Sequence, residues 1–242
     1  MIRSMPASCW LLLLILTLAF GGSAPAPARE SDAGPGGVPT PDPQRFESEI
    51  LAFEAADRDR PPGERGIVFV GSSSIKNWSE LGADFPGLPV LNRGFGGSIL
   101  ADVVYYMDRI VIPYRPRLVV LYAGDNDMVA GRTPDQVVRD YRVFAARLRS
   151  ALPGTRLAYI SIKPSPSRRL HLERARETNR RIQAEIARDS LQTYVDVFTH
   201  MLDSSGQPRP ELFLPDSLHM TRAGYVLWQR LVAPVLQESR SR

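Results

Sequence analysis

The chain is poor in cysteine, lysine and histidine, and each shortage removes a class of chemistry. Cys9 is the single cysteine among 242 residues. It precedes an N-terminal apolar run and is expected to leave with it, so the mature chain has neither a disulfide nor a thiol nucleophile. Lying before that run, Cys9 is also badly placed to accept a lipid. Lys76 and Lys163 are the only lysines. No Walker-type glycine-lysine pair occurs, and Gly94-x-Gly96 meets Ile99 where a dinucleotide fingerprint needs a third glycine, so a nucleotide-binding module is disfavoured. Asp125 and Asp127 find no histidine or further carboxylate spaced to complete a cation site. A formal charge of +4, from 30 basic and 26 acidic residues, does not argue for nucleic acid. No segment repeats at a period of about 20–50 residues, which excludes solenoids and propellers.

What is present begins with Arg3, an apolar run from Trp10 to Phe20, and the small residues Ala24, Ala26 and Ala28. This is the pattern of a secretory signal peptide over residues 1–28, cleaved near Ala28. The run is short of the roughly 20 residues a membrane span needs, so an uncleaved anchor is the alternative and no stable membrane insertion is expected after cleavage. The protein is expected to be exported, periplasmic or secreted. Residues 29–41, with Pro35, Gly36, Gly37, Pro39 and Pro41, predict a flexible linker. The rest, 42–242, is long enough for one domain with a core of its own.

Within that domain strand-like and helix-like segments alternate. Asp42 before Pro43 reads as a helix start, with Phe46, Ile50 and Phe53 at helical spacing. The apolar run Ile67–Val70 is a buried strand that ends on Gly71 and three hydroxyls, Ser72, Ser73 and Ser74. Further strands are predicted at 89–92, 118–122, 156–162 and 194–198. Helices are predicted at 100–110, from the Thr133-Pro134-Asp135-Gln136 capping box to about 152, through the arginine-rich stretch after 167, and after Thr221. Such alternation argues for a parallel sheet of about five strands with helices on both faces. The seven arginines from Arg168 to Arg188 are interleaved with Glu173, Glu177 and Glu185, which reads as a solvated helical face rather than an anionic binding patch.

The strand ends carry the chemistry. A serine needs a base to attack at neutral pH, and the base needs an acceptor to fix its tautomer. His171 lies in the arginine-rich stretch, and His200 has only Asp203 near it, beyond it in sequence. His219 has Asp216 three residues before it in a loop, where one turn can bring the carboxylate to the ring. The Gly94-Phe95-Gly96-Gly97 loop offers backbone donors and Asn126 an amide for a developing oxyanion. Trp78, Phe95, Tyr122 and Phe213 flank these positions and could equally line a pocket or fill the core. The loop 163–167 closes another strand end and is a further candidate to face substrate.

Taken in order, Gly71-Ser72-Ser73-Ser74, Asn92-Arg93-Gly94-Phe95-Gly96-Gly97, Gly124-Asp125-Asn126-Asp127 and Asp216-Ser217-Leu218-His219 resemble the four blocks of the SGNH hydrolases, the GDSL-type esterase and lipase superfamily. The resemblance spans roughly 67–236. It implies a flavodoxin-like three-layer α/β sandwich and a serine esterase acting on a lipid, a carbohydrate or another small-molecule or polymer-borne ester through an acyl-enzyme. Ser73 would be the nucleophile, His219 the base and Asp216 the acid. The Ser73 and Gly97 N–H groups, with Asn126, would form the oxyanion hole, and no metal or organic cofactor would be needed. Residue 72 departs from the pattern, because serine stands where the family name has aspartate. That departure motivates the alternative of a catalytically impaired carbohydrate- or lipid-binding protein.

Overall fold

The computed structural model describes residues 41–238. The leader and nearly all of the linker expected from the sequence lie outside the described residues. Five parallel strands form one sheet in the order β2-β1-β3-β4-β5: β1 is Ile67–Gly71, β2 Val90–Gly94, β3 Leu118–Tyr122, β4 Arg156–Ile160 and β5 Gln192–Val195. This is the flavodoxin-like order, in which the chain reverses its direction of growth between β1 and β3. The register is continuous from Ile67 opposite Val90 and Leu118 to Gly71 opposite Gly94 and Tyr122. Both central strands are buried at every position, which is why they read as unbroken apolar runs rather than alternating ones.

Alternate strand residues feed two cores. Val68, Val70, Val119, Leu121, Leu157 and Tyr159 point to a face covered by the long helices α4 (Leu100–Ile110), α6 (Pro134–Ala151) and α7 (Leu172–Ile186). Ile67, Phe69, Leu118, Val120, Ala158 and Ile160 point to the other, where Trp228, Val232 and Leu236 of α8 (Arg222–Glu238) pack. Helix α1 (Glu47–Asp59) buries Ile50 and packs on α4. The Thr133–Gln136 capping box closes in both directions, at 2.9 and 3.3 Å. Three short helices sit at strand ends or just beyond: α2 (Ser73–Lys76), α3 (Leu81–Asp84) and α5 (Asp125–Val129). Among the described residues, no helix is long and apolar enough to cross a membrane.

Strands β4 and β5 end sooner than the apolar pattern suggests, at Ile160 and Val195 rather than at 162 and 198. Beyond Ile160, the Ser161 hydroxyl accepts the N–H groups of Val197 and Phe198, each at 2.9 Å. The Asn179 side chain then takes both the N–H and the carbonyl of Ile162, at 2.8 and 3.0 Å. Side chains thus replace the ladder while the apolar residues stay buried.

Candidate active site

Strand β1 delivers Ser73 to the C-terminal edge of the sheet through a turn only glycine permits. Gly71 has φ +137°, and a Cβ there would stand 1.7 Å from the Tyr122 carbonyl oxygen on the next strand. The turn is closed by the Ser72 N–H donating to that same oxygen at 3.0 Å, and by the Ser72 carbonyl accepting from Ile75 and Lys76. Ser72 is buried and its hydroxyl makes no capping hydrogen bond. Its contribution to this corner is therefore made by its backbone. Ser73 opens α2, where a first-turn N–H has no intrahelical acceptor.

The loop before α8 brings the other two members. His219 Nε2 lies 3.2 Å from Ser73 Oγ, and His219 Nδ1 lies 2.6 Å from Asp216 Oδ2. The second carboxylate oxygen, Oδ1, accepts the N–H groups of Leu218 and His219, each at 2.9 Å. Ser217 takes φ +56° to make that turn. The hydrogen bond from His219, reinforced by the two backbone donors, pulls the Asp216 pKa down to about 2. The carboxylate is thus ionised at any working pH, as an imidazolium partner requires. The other two histidines do not reach Ser73: His171 ends a short turn before α7, and the Asp203 carboxylate near His200 is spent on its own turn, bonding Ser205 and Gln207.

Gly97 and Asn126 lie side by side. A methyl group added to Gly97 would meet nothing nearer than Asn126 Nδ2, at 3.9 Å. Gly97 does not have a positive φ, so neither crowding nor backbone strain requires a glycine there; a side chain would instead occupy the space beside the Asn126 amide. Asn126 Nδ2 donates one hydrogen to the Ser98 carbonyl at 3.1 Å, and an amide nitrogen carries a second. Behind this loop, buried carboxylates hold the start of α4: the Ile99 N–H donates to Asp102 Oδ2 at 2.9 Å, and the Leu100 N–H donates to Asp127 at 3.1 and 3.2 Å. Burial pushes Asp127 up to about 7 and Asp102 up to about 6.

The loop 163–167 does something the sequence did not disclose. Lys163 does not face solvent; it is 3% exposed, and its Nζ lies 2.6 Å from Asp125 Oδ2. Ser165 Oγ donates to the same oxygen at 3.1 Å. Two residues on, the Ser167 N–H donates to the Ser217 carbonyl at 3.0 Å. One loop therefore grips Asp125, the neighbour of Asn126, and Ser217, the neighbour of Asp216. A lysine isolated after an apolar strand and followed by Pro-Ser-Pro was the available signal. The flanking aromatics prove to be core: Trp78 packs on Phe69, Phe85, Tyr225 and Trp228, and Phe95, Tyr122 and Phe213 are also buried. A separate cavity of about 600 Å³, lined by Pro62, Pro89, Val90 and Tyr114 among others, lies by the N-terminal ends of β1 and β2, at the far end of the sheet from Ser73.

The model of the GDSL-like lipase/acylhydrolase family matches residues 65–227. The chain belongs to that family. Among solved structures, a GDSL-like lipase from Bacteroides thetaiotaomicron is 20% identical, with TM-score 0.69, covering 79% of this chain and 98% of its own. A catalytic mutant of an acetylxylan esterase from Geobacillus stearothermophilus is 15% identical, with TM-score 0.58, covering 72% of this chain and 95% of its own. At these identities the likeness establishes the shared SGNH fold. A search of curated proteins finds no match. Family membership makes the chain an acylhydrolase-type protein.

Proposed function

We propose that this chain is a serine carboxylic-ester hydrolase with Ser73 as nucleophile. The observation that carries the reading is the His219 ring, 3.2 Å from Ser73 Oγ on one side and 2.6 Å from Asp216 on the other. His219 Nε2 takes the hydroxyl proton as Ser73 Oγ bonds to the ester carbonyl carbon, and the carbonyl electron pair moves onto oxygen. Asp216, already ionised, stabilises the imidazolium. The Ser73 and Gly97 N–H groups and the free Asn126 amide hydrogen receive the oxyanion. Collapse expels the alcohol with the proton from His219 and leaves an acyl-Ser73. Water, deprotonated by the same ring, then releases the acid.

The leader read from the sequence would deliver the enzyme out of the cytoplasm, where acylated envelope polymers, lipids and exogenous esters are its candidate substrates. The test is hydrolysis of 4-nitrophenyl acetate by the chain from residue 29 onward. Ser73→Ala is expected to lower kcat by on the order of 10⁴-fold or more and to abolish labelling by a fluorophosphonate. Full activity in Ser73→Ala with loss in Ser72→Ala or Ser74→Ala would reassign the nucleophile. Neither turnover nor labelling of the wild-type chain would leave a binding protein that keeps the family fold.

A further inference from the structure

Asp125 carries one negative charge between two cations. Lys163 Nζ takes its Oδ2 at 2.6 Å, with both side chains at least nine-tenths buried. Burial works against the lysine's charge, yet Asp125 and the hydrogen bonds around it hold Lys163 above the usual lysine range. That pair neutralises itself. Arg168 then approaches the other carboxylate oxygen only to 4.0 Å, and its Nε is buried with no hydrogen-bond partner. Buried donors without acceptors are uncommon and call for an explanation. Other arginines of this stretch are matched: Arg176, Arg180, Arg181 and Arg188 meet Glu173, Glu177, Asp135 and Glu185.

Position gives the surplus charge its meaning. Arg168 is a quarter exposed and follows Ser167, whose N–H holds the Ser217 carbonyl between Asp216 and His219. Asp125, which its guanidinium approaches, precedes Asn126. Arg168 thus sits on the loop that ties Asp125 to the Asp216–His219 turn, with its guanidinium partly desolvated, where a charge-assisted hydrogen bond is stronger than in open water. We propose that Arg168 is an anion subsite of this active centre, selecting esters that carry a carboxylate or phosphate close to the scissile bond. The subsite rests on the esterase reading for its role in turnover, though not for its capacity to bind an anion.

Two measurements on the same proteins separate those claims. Wild type, Arg168→Gln and Arg168→Lys are compared on 4-nitrophenyl acetate and on its 3-carboxy derivative, and benzoate and phenyl phosphate are titrated by calorimetry. In Arg168→Gln, kcat/KM is expected to fall about 10- to 100-fold further on the carboxylated ester than on the neutral one, chiefly through KM. Arg168→Lys should restore part of that difference. Benzoate, phenyl phosphate or both should bind at least tenfold more weakly to Arg168→Gln, and whichever does so names the anion. Equal loss on both esters, or unchanged binding of both anions, overturns the proposal. If wild type hydrolyses neither ester, the esterase reading fails while the calorimetric arm still decides whether Arg168 binds anions.

Discussion

Replacing Lys163 by methionine should expose how much of the site depends on a residue that never meets solvent. The ammonium and the Asp125 carboxylate are 2.6 Å apart and almost fully buried. Methionine fills nearly the same volume, so the main loss is charge. The Asp125 carboxyl group is then left in the interior with one neutral donor, Ser165 Oγ at 3.1 Å, and a guanidinium no nearer than 4.0 Å. Orphaning one member of a buried pair costs about 3–5 kcal/mol; the nearby Arg168 favours the lower end. Urea unfolding, with the midpoint and slope compared against wild type, measures it. Adding Asp125→Asn to Lys163→Met removes the stranded charge and should recover most of the loss. A single-variant cost below about 1 kcal/mol, or a double variant no better than the single, would show that the pair does not hold this corner together.

Four further variants test the site. Asn126→Ala should lower kcat by about 10²- to 10³-fold, and Gly97→Ala, whose methyl would enter the space beside the same amide, should lower kcat on 4-nitrophenyl acetate without moving the urea midpoint. Asp216→Asn keeps the turn but removes the ionised partner of the imidazole, so kcat should fall on the order of 10⁴-fold by the precedent of other triads; because Asp216 stays ionised down to about pH 2, no acid limb of the wild-type profile between pH 4 and 6 should belong to it. Asp127, raised to about 7 by burial, is a carboxyl whose folded pKa exceeds its unfolded value. Its ionisation therefore destabilises the fold as pH rises from about 4 through 7. Wild-type stability should therefore fall relative to that of Asp127→Asn between pH 5 and pH 8, by less than burial alone implies because Arg132 Nε lies 3.4 Å from the Asp127 carboxylate, as urea unfolding at both pH values measures.

Legibility from sequence followed the kind of force involved. Strands β1 and β3 and helix α4 were readable because their apolar residues are buried by position alone: Ile67–Val70 and Leu118–Tyr122 are inner strands with both faces covered. The ends of β4 and β5 were not, because Ser161 and Asn179, one in the chain's next turn and one on α7, take over the backbone bonds while Ile162, Val197 and Phe198 remain buried. Ser73, Asp216 and His219 were picked out by motif order, and the structure places them within hydrogen-bond distance of one another in the order Ser73–His219–Asp216. Lys163 was visible as a residue but not as a brace, since nothing local to it announces an acid 38 positions earlier. The open choice for the flanking aromatics, core or pocket, resolves to core for the same reason: which face of the sheet a ring meets is a tertiary fact.

The two halves of the crevice are supported unequally, and loop 163–167 is where that matters. The proposed oxyanion side is built into the fold: Asn126 stands on α5 at the end of a buried strand, and Ser98–Leu100 is fixed by buried Asp102 and Asp127. The proposed base side is a surface turn whose Asp216 side chain is 48% exposed and His219 side chain 28% exposed. Its shape is kept by Leu214 N–H to the His219 carbonyl at 2.7 Å, Ser217 N–H to Leu214 at 2.8 Å, and the outside tie from Ser167. A solvent-exposed turn held mostly by its own local bonds, including those to Asp216 Oδ1, with one residue at φ +56°, opens at lower free energy than the sheet beneath it. Because the Ser167 tie begins on a loop anchored by Lys163 and Ser165 to Asp125, the rigid half lends its order to the soft half. Loss of the Lys163–Asp125 pair should therefore lengthen the Ser73–His219 contact as well as shift Asn126, lowering kcat more than removal of Asn126's amide alone at equal folded fraction. A kcat loss in Lys163→Met smaller than that of Asn126→Ala would mean the base loop keeps its own geometry without the brace.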